Sequence, residues 1–156
     1  MVKITDCDLF NSGADVVCVQ TNCKGSMEYG IGKQVKERFP AVFETYKDVC
    51  DKAKNNASDL LGNICETKAA NGDYKFVVCC LFAHDSFKSG FCFTDYGALK
   101  ECLEKIKSKY GKKKIALPYR MGCSVSGGDW RTVEELILDV MGSDCDITIC
   151  RYKAND

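Results

Sequence analysis

Two spacings alternate along this chain. Short runs apolar on both faces, rich in β-branched residues, occur at Val16-Val17-Cys18-Val19, Phe76-Val77-Val78-Cys79-Cys80-Leu81-Phe82, Ile115-Ala116-Leu117 and Ile147-Thr148-Ile149-Cys150. Runs of that length and composition predict central strands covered on both sides. Val2-Lys3-Ile4 and Ile64-Cys65-Glu66-Thr67 predict two more. Between them apolar positions recur every three or four residues, the spacing of one face of a helix. Ile31, Val35 and Phe39 mark the first helix; Val42, Tyr46, Val49, Cys50 and Ala53 mark a second, opened by Pro40. Leu99, Cys102, Leu103, Ile106 and Tyr110 mark a third, and Val133, Leu136, Ile137 and Val140 a fourth, with Asp129 as N-cap and Gly142 as its stop. Strands alternating with helices predict an α/β/α sandwich. Ligands of such folds bind beyond the carboxyl ends of the strands, which directs attention to the loops after Val19, Leu81 and Leu117.

Two of those loops are glycine-rich and lead into helices. The first runs from Gln20 through Asn22, Gly25, Gly30, Ile31 and Gly32; the second runs from Pro118 through Gly122, Ser124, Ser126, Gly127 and Gly128. Glycine lets backbone approach a ligand closely, and the first amides of a helix are free to hold an anion. Such loops also serve as plain tight turns, but two of them after core strands favour a site. Neither carries the Gly-Lys-Ser/Thr ending of a P-loop or the Gly-x-Gly-x-x-Gly dinucleotide pattern.

Charge and cysteine content narrow the picture further. The chain has 156 residues, which suits one domain spanning 1–156, and Lys plus Arg equals Asp plus Glu at 22 each. A neutral chain has no general field to attract nucleic acid or anionic membrane, so an anion must be held by local geometry. Lys107, Lys109, Lys112, Lys113 and Lys114 crowd the end of the third helix, where positive charge is ordinary, and a nucleic-acid partner is not expected. The 12 cysteines include no Cys-x-x-Cys pair and accompany a single histidine, His84, so no zinc site is expected. Many lie within apolar runs, and the first residues are too polar for a signal core, so they are expected to be reduced thiols. A cytoplasmic or nuclear monomer without a membrane span or cofactor is the resulting expectation.

The motifs resemble the macrodomain family. Asp6-Cys7-Asp8-Leu9-Phe10 resembles its Gly-Asp-Ile/Leu element. Asn22-Cys23-Lys24-Gly25 with Gly30 to Pro40 resembles its first ligand loop and the helix that follows. Leu117-Pro118 with Gly122 to Trp130 resembles its second loop, and Ile147 to Tyr152 its last strand. The match runs in order over nearly the whole chain and is nearest the branch containing terminal ADP-ribose protein glycohydrolase and ADP-ribose-1″-phosphate phosphatases. It implies a three-layer sandwich with a mixed central sheet, and ADP-ribose, a derivative of it or an ADP-ribosylated protein as partner. By this resemblance Asp8 accepts from the adenine amino group and the Leu9 amide assists. Asn22 meets the distal ribose. Gly30, Ile31 and Gly32 offer amides to the distal ribose and phosphate. Gly122, Ser124, Val125, Ser126 and Gly127 surround the diphosphate, and Tyr152 stacks on adenine. From the residues alone, Asp8 is equally an N-cap, Asn22 a turn former and Tyr152 a packing residue.

Catalysis departs from the family pattern. The stretch Gly30-Ile31-Gly32-Lys33 carries no acid where the common hydrolase branch has an aspartate. Ser126 stands where the glycohydrolase branch has its catalytic aspartate, and His84 is the nearest match to that branch's lysine. His84 titrates near neutrality when unperturbed, and two roles stay open for it: a base or orienting group at the anomeric carbon, with Asp85 as a candidate to orient it, or a surface or hydrogen-bonded loop histidine. Cys123 lies in a loop of the kind that lowers thiol pKa, but the family makes no use of it. The reading is an ADP-ribose-binding macrodomain that hydrolyses an ADP-ribose derivative, the alternative being a non-catalytic reader of ADP-ribose.

Overall fold

The computed structural model describes residues 1–85, 94–123 and 126–152. Ser124 and Val125, assigned above to the second loop, lie outside the described residues. Six strands form one sheet: β1 (Val2–Asp6), β2 (Val16–Thr21), β3 (Ile64–Asn71), β4 (Tyr74–Phe82), β5 (Lys114–Pro118) and β6 (Asp146–Arg151). Their order across the sheet is β1-β6-β5-β2-β4-β3. Every neighbouring pair is parallel except β3 and β4, so the sheet is mixed.

Alternate residues of each strand feed two separate cores, as the twofold repeat of a strand requires. Val17, Val19, Val78 and Cys80 face α1 (Gly30–Arg38) and α2 (Pro40–Lys52), where Val35, Val42 and Tyr46 are buried. Val16, Cys18, Cys79 and Leu81 face α3 (Tyr96–Tyr110) and α4 (Trp130–Met141), where Leu99, Leu103, Val133 and Ile137 are buried. Helices thus cover both faces, giving the three-layer α/β/α sandwich. Pro40 breaks α1 from α2 at Phe39, because it has no amide hydrogen to continue the ladder. Asp129 caps α4 by accepting from the Thr132 amide at 3.1 Å, and Asp95 caps α3 through Ala98 at 2.9 Å.

The β3–β4 hairpin is longer than the sequence suggests. It continues to Asn71 and resumes at Tyr74 around Gly72, whose φ of +64° favours glycine. β3 is a half-exposed edge strand, so Lys68 to Asn71 carry no continuous apolar signal. Cys7 and Cys123 are half-buried, and the other described cysteines are buried free thiols. Burial holds those of Cys23 and Cys102 up at about 12. No helix among the described residues is long and apolar enough to cross a membrane.

Candidate functional site

The sheet opens where the two glycine-rich loops begin. β2 and β5 are paired only at Val16–Ile115 and Val17–Ala116, and beyond these residues the strands part toward their carboxyl ends. A cavity of about 600 Å³ lies there, lined by Val19, Gln20 and Thr21 on one side and Pro118 to Cys123 on the other. The start of α1 and His84 complete its wall. A smaller cavity of about 150 Å³ adjoins it, sharing Ile31, Pro118 and Tyr119 and reaching Asp8, Leu9 and Tyr152. Together they form a two-chambered cleft.

The first loop is pinned by Asn22. Its Oδ1 accepts from the Lys24 amide at 2.9 Å and from the Tyr46 hydroxyl at 2.7 Å, while Nδ2 donates to the Ser26 carbonyl at 2.9 Å. Asn22 lines the large cavity, yet its amide is engaged by its own loop, as a turn-forming asparagine's would be, and by Tyr46 of α2. The loop delivers the chain to Gly30, at φ +54°, which opens α1. Tyr29 is the N-cap and makes no side-chain capping bond, and no acid occupies the first turn. Gly30, Ile31 and Gly32 line the cavity, and as first-turn residues their amides have no acceptor within the helix, at the positive end of its dipole. This contrasts with α3 and α4, each closed by an aspartate.

The second loop folds around one carbonyl. Gly122 O accepts from the Gly128 amide and the Thr94 hydroxyl, both at 2.7 Å, and from the Ser126 hydroxyl at 3.0 Å. Ser126 is buried against the cavity with its hydroxyl so committed. Gly122 has φ +76°, and a Cβ there would lie 2.5 Å from Gln20 Oε1, so a side chain fits neither the backbone nor the space. Gly127 lines neither cavity. Arg120, at φ +61°, holds a left-handed conformation rare for a residue with a Cβ and places a guanidinium-bearing residue in the cavity wall. Cys123 also lines the wall, its thiol donating to the Met121 carbonyl at 3.3 Å.

His84 ends the extension of β4 and is 8% exposed. Burial lowers its pKa to about 4, with neighbouring Asp85 opposing the shift. The ring donates no hydrogen bond to Asp85, which instead lies 3.5 Å from Lys24; His84 Nδ1 sits 3.0 Å from Gln20 Nε2. Consecutive residues of an extended segment point apart, which explains the separation.

In the small cavity, Asp8 caps the 3-10 turn Leu9–Asn11 through the Phe10 amide at 3.1 Å and pairs with Arg38 at 3.2 Å. A carboxylate has about four acceptor positions, so these bonds orient Asp8 and leave it able to accept more. Leu9 opens that turn, where an amide has no acceptor within the turn. Tyr152 is 68% exposed at the mouth.

The cleft thus gathers Asn22, Gly30, Ile31, Gly32, His84, Gly122 and Ser126 in one chamber and Asp8, Leu9 and Tyr152 in the other. It adds residues the sequence reading gave no role: Gln20, Thr94, Arg120, the supporting Tyr46, and Glu28, a cavity-lining carboxylate whose pKa is lowered by its 2.8 Å bond with Lys36. A long amide side chain directly after the apolar run Val16 to Val19 was the available signal for Gln20.

A family model described as "Macro domain" matches residues 20–137. An ADP-ribose 1″-phosphate phosphatase from Meyerozyma guilliermondii is 30% identical over 90 residues, covering 51% of this chain and 51% of the relative. A DNA ADP-ribosyl glycohydrolase from Mycobacterium tuberculosis is 22% identical over 138 residues, covering 88% of this chain and 38% of the relative. The chain therefore aligns with about half or less of these relatives' length. Among solved structures, the macrodomain of Mycobacterium tuberculosis DarG superposes with a TM-score of 0.79 at 19% identity, covering 99% of both chains. Thermosipho africanus DarTG in complex with ADP-ribose gives 0.78 at 21% identity, over 99% of this chain and 43% of that one.

Proposed function

This chain belongs to the Macro domain family, and on that premise we propose that it binds ADP-ribose and hydrolyses an ADP-ribose derivative. The observation that carries this reading is the uncapped, glycine-opened start of α1, which meets the second loop across one cavity. Main-chain amides can hold a diphosphate without a basic field, as a protein of zero net charge requires. The adenine occupies the small chamber, where Asp8 accepts from its amino group and Tyr152 stacks on its face. The diphosphate spans the start of α1 and the second loop. The distal ribose reaches the end walled by Gln20, Asn22 and His84. The chain acts as a single domain over 1–156.

The chemistry proposed for this site is positional. Ser126 has its proton on a carbonyl, Glu28 is paired with Lys36, and His84 is neutral at pH 7. Rate enhancement then comes from holding substrate and water together and from amides aimed at developing charge, with the ligand's own phosphates taking part. ADP-ribose-1″-phosphate and protein-linked ADP-ribose are the substrates to try first. DNA-linked ADP-ribose joins them because of the name of the mycobacterial relative.

Calorimetry with ADP-ribose tests the binding half, and release of ADP-ribose from the three substrates tests the catalytic half. Asp8→Ala is expected to weaken binding by about tenfold or more, the worth of a hydrogen bond to a charged acceptor. Equal binding by that variant would remove the adenine assignment. Absence of heat with the wild type would remove the function altogether, and binding without turnover of any substrate would leave a reader module.

A further inference from the structure

His84 ends a short hydrogen-bonded relay that starts in the second loop. The Thr94 hydroxyl donates to the Gly122 carbonyl at 2.7 Å. A hydroxyl carries one proton and a carbonyl oxygen can only accept, so that proton is committed. Thr94 Oγ1 must therefore accept from the Gln20 amide, 3.0 Å away. This fixes which way the amide points: its nitrogen, not its oxygen, faces Thr94. The same Nε2 lies 3.0 Å from His84 Nδ1. An amide nitrogen donates through either of its two hydrogens and does not accept, so Nδ1 is the bare nitrogen of the ring.

The imidazole proton then resides on Nε2. Among the described residues Nε2 has no hydrogen-bond partner, and it is not one of the fully enclosed side-chain polar atoms, while His84 lines the large cavity. The cost of the arrangement falls on Gln20 Oε1, which is enclosed without a partner among the described residues. Turning the amide over would only move that cost to Nε2, left in the same enclosed position, and would set Oε1 against the lone pairs of Thr94. Protonating Nδ1 would set two donors face to face, so the relay also opposes the charged ring. Charged groups around the ring are few: Asp85 follows it and lies near Lys24, and Glu28 and Arg120 line the same cavity.

We propose that Gln20 and Thr94 are positioning residues that lock His84 as its neutral Nε2–H tautomer, making the ring a fixed hydrogen-bond donor to an oxygen of the bound distal ribose instead of a general base. The identity of that oxygen rests on the ADP-ribose reading above; the tautomer does not. A donor held in place at this end of the cleft orients the ligand's hydroxyl or leaving oxygen without moving a proton.

His84 is the only histidine in the chain, so protein labelled with 15N-histidine reports on one ring without assignment. Nε2 is recognised by its coupling to both ring C–H protons. In the unliganded wild type at pH 7, Nε2 is expected to be protonated and Nδ1 bare. That state should persist through about pH 6.5, where an unperturbed histidine is half charged. Thr94→Ser should preserve it. Gln20→Glu places a carboxylate opposite Nδ1, which should acquire a proton, and ADP-ribose binding should weaken by roughly threefold to tenfold. An Nδ1–H tautomer, an even mixture, or ordinary titration in the wild type overturns the proposal, as does a Gln20→Glu spectrum identical to wild type. Adding ADP-ribose should shift the Nε2–H signal; binding that leaves it unmoved overturns the donor role. No binding at all would remove the function reading and the donor role with it, while the unliganded spectrum still decides the tautomer.

Discussion

Replacing His84 with glutamine should change how stability depends on pH. The folded ring takes a proton only near pH 4, held there by burial, whereas the unfolded ring takes one near its ordinary value of 6.5. Between these values the unfolded chain binds more protons than the folded one, so acid favours unfolding. The contribution is absent above pH 6.5, grows as pH falls, and is complete below about 4. A gap of about 2.5 units at 1.36 kcal/mol each gives about 3 kcal/mol, with no discount for solvent because the ring is only 8% exposed. Urea unfolding from pH 7 to pH 4, in a thiol reductant and followed by fluorescence of the single tryptophan, Trp130, measures it. Trp130 packs edge-on against Tyr119 with ring centroids 5.0 Å apart, so its emission reports the fold beside the second loop. Carboxylates titrate in the same window, but they do so in both proteins, and the difference curve cancels them. His84→Gln also loses the bond to Gln20, which shifts its stability by a constant at every pH. The wild type should therefore lose about 3 kcal/mol more than the variant on going from pH 7 to pH 4. Parallel pH curves would refute the burial of a neutral ring at this position.

Three further substitutions probe the cleft. Tyr46→Phe removes a buried hydroxyl from Asn22 Oδ1 and Asn22 O, and should cost about 1–3 kcal/mol in urea unfolding and weaken ADP-ribose binding in calorimetry. Gly122→Ala meets both a left-handed backbone and the Gln20 amide, so a loss of about 1–2 kcal/mol or more is expected, with a changed His84 ring spectrum. Tyr152→Ala should leave stability within about 0.5 kcal/mol because the residue is exposed. It should nevertheless lower ADP-ribose affinity by about 1 kcal/mol, and unchanged affinity would remove the stacking role.

The sandwich was legible because its signals are local. Doubly covered strands read as unbroken apolar runs, and Pro40 and Asp129 punctuate the helices where their chemistry demands. The long β3–β4 hairpin was missed in part because an edge strand alternates too weakly to register. At the site, the glycine loops were visible and the contacts that organise them were not. Gln20 begins the polar end of β2, but its partner Thr94 is 74 residues away. Tyr46 reads as one more apolar position on α2, and only the folded chain brings its hydroxyl to Asn22. Arg120 adopts a backbone conformation that nothing in its residue type announces.

The buried thiols have a consequence for the life of the molecule outside its native state. Packed inside the sandwich they are protonated and shielded, and so nearly inert to oxidants. Once the chain opens, the same sulfurs become accessible together, with ordinary acidity and many neighbours to join. Under oxidising conditions even a brief excursion would be trapped by crosslinks that the folded form cannot accommodate. Under such conditions the lifetime of the fold would be set by how often the chain opens, more than by its equilibrium balance.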